Sequence, residues 1–157
     1  MKNIIISPYA KPLRNGKENP KDYPYWEALV GGLRGAGYSI VQLAFGDEKK
    51  IESAHHIICY KSLSAVEMVV DDCDLFISID NFLPHLAHCR KKRGIVLWGK
   101  SDPELFGYPE NVNLLKDRKF LRNRQFDIWE AEEFDPAVFV APEIVMEAVL
   151  KFDVLKS

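Results

Sequence analysis

Ser78-Ile79-Asp80-Asn81-Phe82-Leu83-Pro84-His85-Leu86-Ala87 is the stretch on which the fold turns. The apolar run Leu75 to Ile79 ends abruptly at Asp80, and a helix-starting sequence follows, with Pro84 near its first turn and His85 behind it. A strand that empties into the N-terminus of a helix is a natural anion site, because free backbone N–H groups point outward there and the helix dipole favours negative charge. Farther on, the apolar strand Gly94 to Trp98 runs into Gly99-Lys100-Ser101-Asp102-Pro103. Two such strand ends with polar loops imply one crevice in an open α/β sheet.

Working outward, Ile4 to Ser7 reads as a buried strand. Lys11 to Asp22 is a polar loop rich in turn formers, and a loop of that length in a compact domain is often functional. Its cations Arg14, Lys17 and Lys21 hang near the crevice, where phosphate binding competes with a merely solvated loop. Trp26, Leu29, Val30 and Leu33 follow helical spacing, and Gly35 and Gly37 end that helix. Ser39 to Ala44 is a second strand. Ile51 to Tyr60 is ambiguous, with room for a short helix and a short strand. Ser64 with Glu67 has the spacing of a capping box, with Leu63 and Met68 as its hydrophobic staple, for a helix running to Asp72. Pro142 opens a C-terminal helix with Ile144, Val145, Ala148, Val149 and Phe152 on one face. After Asp102 the periodicity weakens through Arg124.

Strands alternate with helices throughout, so the expected architecture is α/β: a single Rossmann-like, doubly wound, mostly parallel sheet with helices on both faces, and one domain over 1–157. The 157 residues suit one domain, and 47% hydrophobic residues fill its core. A formal net charge of −2 argues against a general nucleic-acid or membrane-surface binder. Cys59, Cys73 and Cys89 are odd in number and lack a CxxC spacing, which favours a reducing, cytoplasmic setting over a disulfide scaffold. Met1-Lys2-Asn3 followed by Ile4, Ile5 and Ile6 is too short for a signal-peptide core, and no run reaches membrane-spanning length.

Read in order, these residues resemble the C-terminal half of heptosyltransferase-type glycosyltransferases, enzymes of the GT-B architecture. The resemblance runs from about Ile4 to Tyr108. Asp80-Asn81-Phe82-Leu83-Pro84-His85-Leu86-Ala87 is similar to the family's Asp-Thr-Gly-x-x-His-Leu-Ala, and Gly99-Lys100-Ser101-Asp102-Pro103 to a Gly-x-Thr-x-Pro loop. Lys21 with Tyr23 and Pro24 is similar to Lys-x-Trp-Pro, and Glu48 after Gly46 to a Gly-x-x-Glu segment. The resemblance implies half of a GT-B fold that binds a nucleotide or nucleotide-diphosphate sugar. In it the loop at Asp80, Asn81 and Phe82 faces the diphosphate through backbone N–H groups, and Lys21 neutralises phosphate charge. Glu48 accepts hydrogen bonds from ribose hydroxyls, Ser101 donates to a phosphate oxygen, and His85 is the family histidine. No cofactor is implied.

Two departures stand out. The family's Thr-Gly is Asn81-Phe82 here; glycine permits close backbone approach to a phosphate and phenylalanine does not, so Phe82 either stacks on a base or plugs the site. In such enzymes the N-terminal half supplies the acceptor site and catalytic base, so a complete transferase takes a partner chain or a second copy.

The bland readings stand beside these. His85 is equally a helix histidine orienting its own loop. His85, His88 and Cys89 share a helical face, but no fourth ligand is visible and no metal is expected. Arg90 to Arg93 complements a helix C-terminus. In Lys116 to Trp129, arginines interleave with aromatics, as in nucleic-acid or protein contacts; a helix packing its aromatic face on the sheet with wet arginines is the favoured reading. The sequence designates no acid/base pair. Two other functions remain open: a non-catalytic interaction module on a degenerate transferase scaffold, and a small nucleotide-binding or nucleotide-processing protein.

Overall fold

The computed structural model describes residues 2–156. Its centre is a six-stranded parallel sheet in the order β3-β2-β1-β4-β5-β6. The strands are β1 (Asn3–Ser7), β2 (Ser39–Ala44), β3 (His56–Cys59), β4 (Leu75–Ile79), β5 (Gly94–Trp98) and β6 (Val112–Leu115). The helices are α1 (Trp26–Gly35), α2 (Leu63–Asp72), α3 (Phe82–Cys89), the short α4 (Pro103–Phe106) and α5 (Pro142–Lys156).

The pleat divides the core. Ile4 and Ile6 of β1, Ile77 and Ile79 of β4 and Ile95 and Leu97 of β5 meet α1 and α5. Ile5, Phe76, Val96 and Trp98, one position out of phase, meet Val66 and Val70 of α2 and Leu83 and Ala87 of α3. Strands covered on both sides read as near-continuous apolar runs, and every residue of β4 and β5 is buried, Ser78 among them. The expected doubly wound sheet is therefore the observed one, and it is parallel throughout. Gly94 is required where β5 begins, because a Cβ there would overlap the Phe76 ring.

The structure corrects five local expectations. Only the strand β3 forms between Ile51 and Tyr60; no helix shares the segment. The cap of α2 is Ser62, whose hydroxyl accepts from the Ala65 amide at 3.3 Å, so Ser64 lies inside the helix. Leu63 and Met68 are exposed and form no staple. On α5, Val145, Val149 and Phe152 are buried, whereas Ile144 faces outward. Finally, Lys116 to Trp129 forms no helix: the chain makes short 3-10 turns at Arg118–Phe120, Trp129–Ala131 and Pro136–Val138.

Candidate functional site

The chain builds β1, β2 and β3 outward on one side, then crosses back through α2 to place β4 against the other edge of β1. In such sheets the loops diverge at the carboxyl ends of the two central strands and open a crevice. Here that point lies beyond Ser7 and Ser78, which are paired in register.

Asn81 fixes the floor. Its Nδ2 donates to the Ser7 carbonyl (3.1 Å), the Ser7 Oγ (3.0 Å) and the Tyr9 carbonyl (3.1 Å). Its Oδ1 accepts from the Leu83 amide at 3.0 Å, which caps α3. The Asn81 amide donates to the Ile79 carbonyl at 2.9 Å. With Asn81 and Leu83 paired internally and Pro84 lacking an N–H, Phe82 carries the unpaired amide of the α3 entry. The expected row of free amides thus loses Asn81, whose N–H closes a turn on Ile79.

The loop after β1 delivers Lys21. Buried Asn19 accepts from the Lys21 amide (3.0 Å) and donates to the Lys11 carbonyl (2.9 Å), which sets the approach. The Lys21 ammonium lies 3.1 Å from Asp80 Oδ2 and 3.4 Å from the Asp80 carbonyl. The same Asp80 oxygen accepts from the Ser101 hydroxyl at 3.0 Å. Loops following β1, β4 and β5 therefore meet at one carboxylate. Asp102, the next residue, caps α4 and pairs with both Arg118 nitrogens, which hold its carboxyl below the usual range.

The other expected residues lie around this node. Glu48 curls back so that its Oε2 accepts from the Phe45 amide at 3.2 Å, and burial pushes its carboxyl up. Phe45, Tyr60 and Phe82 form a run of rings with centroids 5.6 and 5.7 Å apart, across the ends of β2, β3 and β4. His85 sits one turn into α3, exposed, with Nδ1 2.8 Å from the Tyr108 hydroxyl. Arg14 and Lys17 lie farther out: the Arg14 amide donates to Glu130 (3.1 Å) and the Lys17 ammonium pairs with Glu133 (3.2 Å). Among the described residues no group of three or more His, Cys, Asp or Glu side chains is placed to hold a metal ion.

Sequence reasoning gave Asp22, Tyr60 and the pair Arg122–Trp129 no role in the site. Asp22 accepts from the Ala10 amide at 2.8 Å, and burial, with Glu18 and Glu48 nearby, pushes its carboxyl up to about 7. The Arg122 guanidinium stacks 3.5 Å from the Trp129 ring centre, and the Lys21 ammonium lies 5.2 Å from the same ring. The interleaved arginines and aromatics flagged this segment, but the helical reading separated the two residues.

A model of glycosyltransferase family 9 (heptosyltransferase) matches residues 2–125. Among curated proteins none matches the chain. Among solved structures, the ADP-heptose LPS heptosyltransferase II of E. coli is 15% identical with a TM-score of 0.73, over 99% of this chain and 47% of that one. The iron-containing dodecameric glycosyltransferase TibC of enterotoxigenic E. coli is 13% identical with a TM-score of 0.74, over 99% and 46%. E. coli heptosyltransferase WaaC, solved with ADP, is 16% identical with a TM-score of 0.66, over 96% and 44%. At these identities the likeness is one of fold, shared with half of a GT-B enzyme, and the chain spans about half the length of each. The family match covers most of the sequence and carries the assignment: the chain belongs to glycosyltransferase family 9, the heptosyltransferase family.

Proposed function

We propose that this chain is the donor-holding half of a heptosyltransferase-type glycosyltransferase, and that its crevice takes a nucleotide or nucleotide-diphosphate sugar. The observation that carries the reading is the meeting of Lys21, Asp80 and Ser101 at the switch point of the sheet. WaaC was solved with ADP and TibC with ADP-D-β-D-heptose, which makes adenine nucleotides the first ligands to try.

In sugar transfer the bond from the anomeric carbon to the diphosphate breaks and the diphosphate leaves with the electron pair. Positive charge and fixed donors aimed at that leaving group lower the barrier. Lys21 supplies the charge as a flexible ammonium. Ser101 and the unpaired Phe82 amide supply donors. Asp80 holds Lys21 and Ser101 in place until the ligand arrives, and the diphosphate then shares or takes the ammonium. Glu48 receives the ribose hydroxyls, and the rings of Phe45, Tyr60 and Phe82 flank the base. Asn81 acts by shaping the floor, and His85 by tying α3 to Tyr108. Arg14 and Lys17 lie at the outer rim, where they attract the anion.

The acceptor site and the catalytic base belong to the other half of such an enzyme, which closes the cleft from the opposite side. No helix among the described residues is long and apolar enough to cross a membrane, and the exposed thiols of Cys59 and Cys89 fit the reducing cytoplasm, where nucleotide sugars are consumed. Titration calorimetry with ADP- and UDP-sugars tests the proposal. Heat of binding with at least one of them is expected; folded protein that gives none with any nucleotide overturns it.

A further inference from the structure

The C-terminal helix α5 is apolar on two sides. Val145, Val149 and Phe152 are buried in the core that the helix shares with α1 and the sheet. Ile144, Leu150 and Leu155 lie off that line and are 46%, 53% and 82% exposed. A helix covered on one face is ordinarily polar on the other. Apolar side chains gathered on an outer face mark a contact surface.

The outer face borders a groove. Val112 and Leu114 of the edge strand β6 line it on one side, and Ile144, Ala148, Lys151 and Leu155 of α5 on the other, around a volume of about 380 Å³. No strand of the sheet lies beyond β6 to cover it. The groove is also remote from the crevice. Asp153, in the last turns of α5, pairs at 2.9 Å with Lys2, which precedes β1, so this end of the helix lies at the amino ends of the strands. The crevice opens at their carboxyl ends.

The pattern along the groove names its occupant. Ile144, Ala148, Lys151 and Leu155 stand four, three and four residues apart, the spacing along which two helices pack side by side. The stripe matches itself when one copy is reversed: Ile144 of one copy meets Leu155 of the other, and small Ala148 meets the stem of Lys151. The charges agree. Glu147, beside Ala148, comes within reach of Lys151 of the other copy. A parallel pair would instead set Glu147 beside Glu147 and Lys151 beside Lys151. Within one chain the two form an exposed pair at 2.8 Å, 59% and 73% exposed, which contributes little to stability and leaves both charges open to a neighbour. We propose that α5 docks antiparallel on α5 of a second copy, about a two-fold axis, so that two chains form a symmetric dimer at the groove beside β6. Such an interface uses the same patch on both copies, as this stripe does.

Sedimentation equilibrium of the chain tests the dimer, and charge reversal tests its geometry. A monomer–dimer equilibrium is expected for the parent. Glu147→Lys sets like charges across the axis, and Lys151→Glu does the same with the opposite sign. Each alone should weaken self-association at least about tenfold. Mixed in equal amounts, the two variants restore opposite charges across the interface and should form a one-to-one dimer about as tight as the parent's. Rescue on mixing is intermolecular, because each variant chain still lacks its own i,i+4 pair. Both positions are exposed, so the variants keep their fold, and circular dichroism verifies it. The proposal is overturned if the parent stays monomeric at millimolar concentration, if either variant alone dimerises as tightly as the parent, or if the mixture stays monomeric. Neither residue lies at the crevice, so failure here leaves the donor reading untouched.

Discussion

Lys21 reaches across the crevice from the loop after β1 to Asp80 at the end of β4, its ammonium 3.1 Å from a carboxylate oxygen. Both side chains are largely withdrawn from water, with 21% and 14% of their surface exposed. The ion pair joins the two halves of the sheet at the point where their connections diverge. It also sets the resting state of the site: under the proposed function, an entering diphosphate would meet a lysine that already has a partner.

Replacing Lys21 by alanine should reduce the affinity for a nucleoside diphosphate about tenfold, the effect of one charge-assisted contact. It should also cost about 1–2 kcal/mol of stability, since Asp80 keeps only Ser101 as a side-chain partner. Calorimetric titration and urea denaturation check the two effects separately. An unchanged affinity would remove the lysine from the site.

Under the proposed function, Phe82 lets base recognition be tested apart from phosphate recognition. Its ring leans toward Tyr60, while its amide is the unpaired donor of the α3 entry. Phe82→Ala keeps the amide and deletes the ring. Affinity for ADP should fall about five- to tenfold, the loss of one stacking partner, while affinity for inorganic pyrophosphate should stay the same. Equal losses for both ligands would show that the ring does not meet the base.

Asp22 gives the protein a pH signature. Its carboxyl is pushed up to about 7 in the folded state, mainly by burial, against about 3.9 in an unfolded chain. Between those values the folded state holds a proton that the unfolded state has released. Stability therefore falls as pH rises from about 4 to about 7 and levels off above that. Asp22→Asn keeps the oxygen that accepts from Ala10 and removes the titration. Its stability, measured by urea denaturation across this range, should lose that decline, and the variant should be the more stable of the two above pH 7.

Asn81 is expected to matter more for folding than for contact with ligand. Asn81→Ala removes the α3 cap and takes the Nδ2 donor from the Ser7 hydroxyl and from the Ser7 and Tyr9 carbonyls. Cap loss costs about 1 kcal/mol, and each stranded buried polar group about 1–3 kcal/mol. A total of about 2–4 kcal/mol should appear in the denaturation midpoint. A loss below about 0.5 kcal/mol would mean that water replaces the asparagine.

The legible parts of the fold were those buried on both faces. β1 carries Ile4 to Ile6, β5 is apolar throughout, β2 and β4 are apolar but for buried Gln42 and Ser78 and the terminal Ser39, and α1 shows its buried residues at helical spacing. β6 escaped because it is an edge strand. It is half-buried along its length, and Asn113 interrupts its apolar run to accept from the Trp98 indole at 3.0 Å. The α2 cap was misplaced because two serines two residues apart compete, and only the structure shows Ser62 bonded. The site was legible where a motif sits at a strand end, as at Asp80 and Ser101. Asp22, Tyr60 and Trp129 are each positioned by tertiary packing of loops, which leaves no periodic trace in the sequence.

The segment between Arg122 and Trp129 has neither the rungs of a helix nor those of a strand, yet it holds a defined path. One guanidinium, clasping three carbonyls and lying flat on an indole, does the work that a repeating pattern does elsewhere. A repeating pattern degrades gradually when one member is lost. A keystone does not, so this stretch tolerates drift at its surface positions and should come loose as a unit when Arg122 is changed, even to lysine, whose single ammonium cannot hold three carbonyls and stack at once.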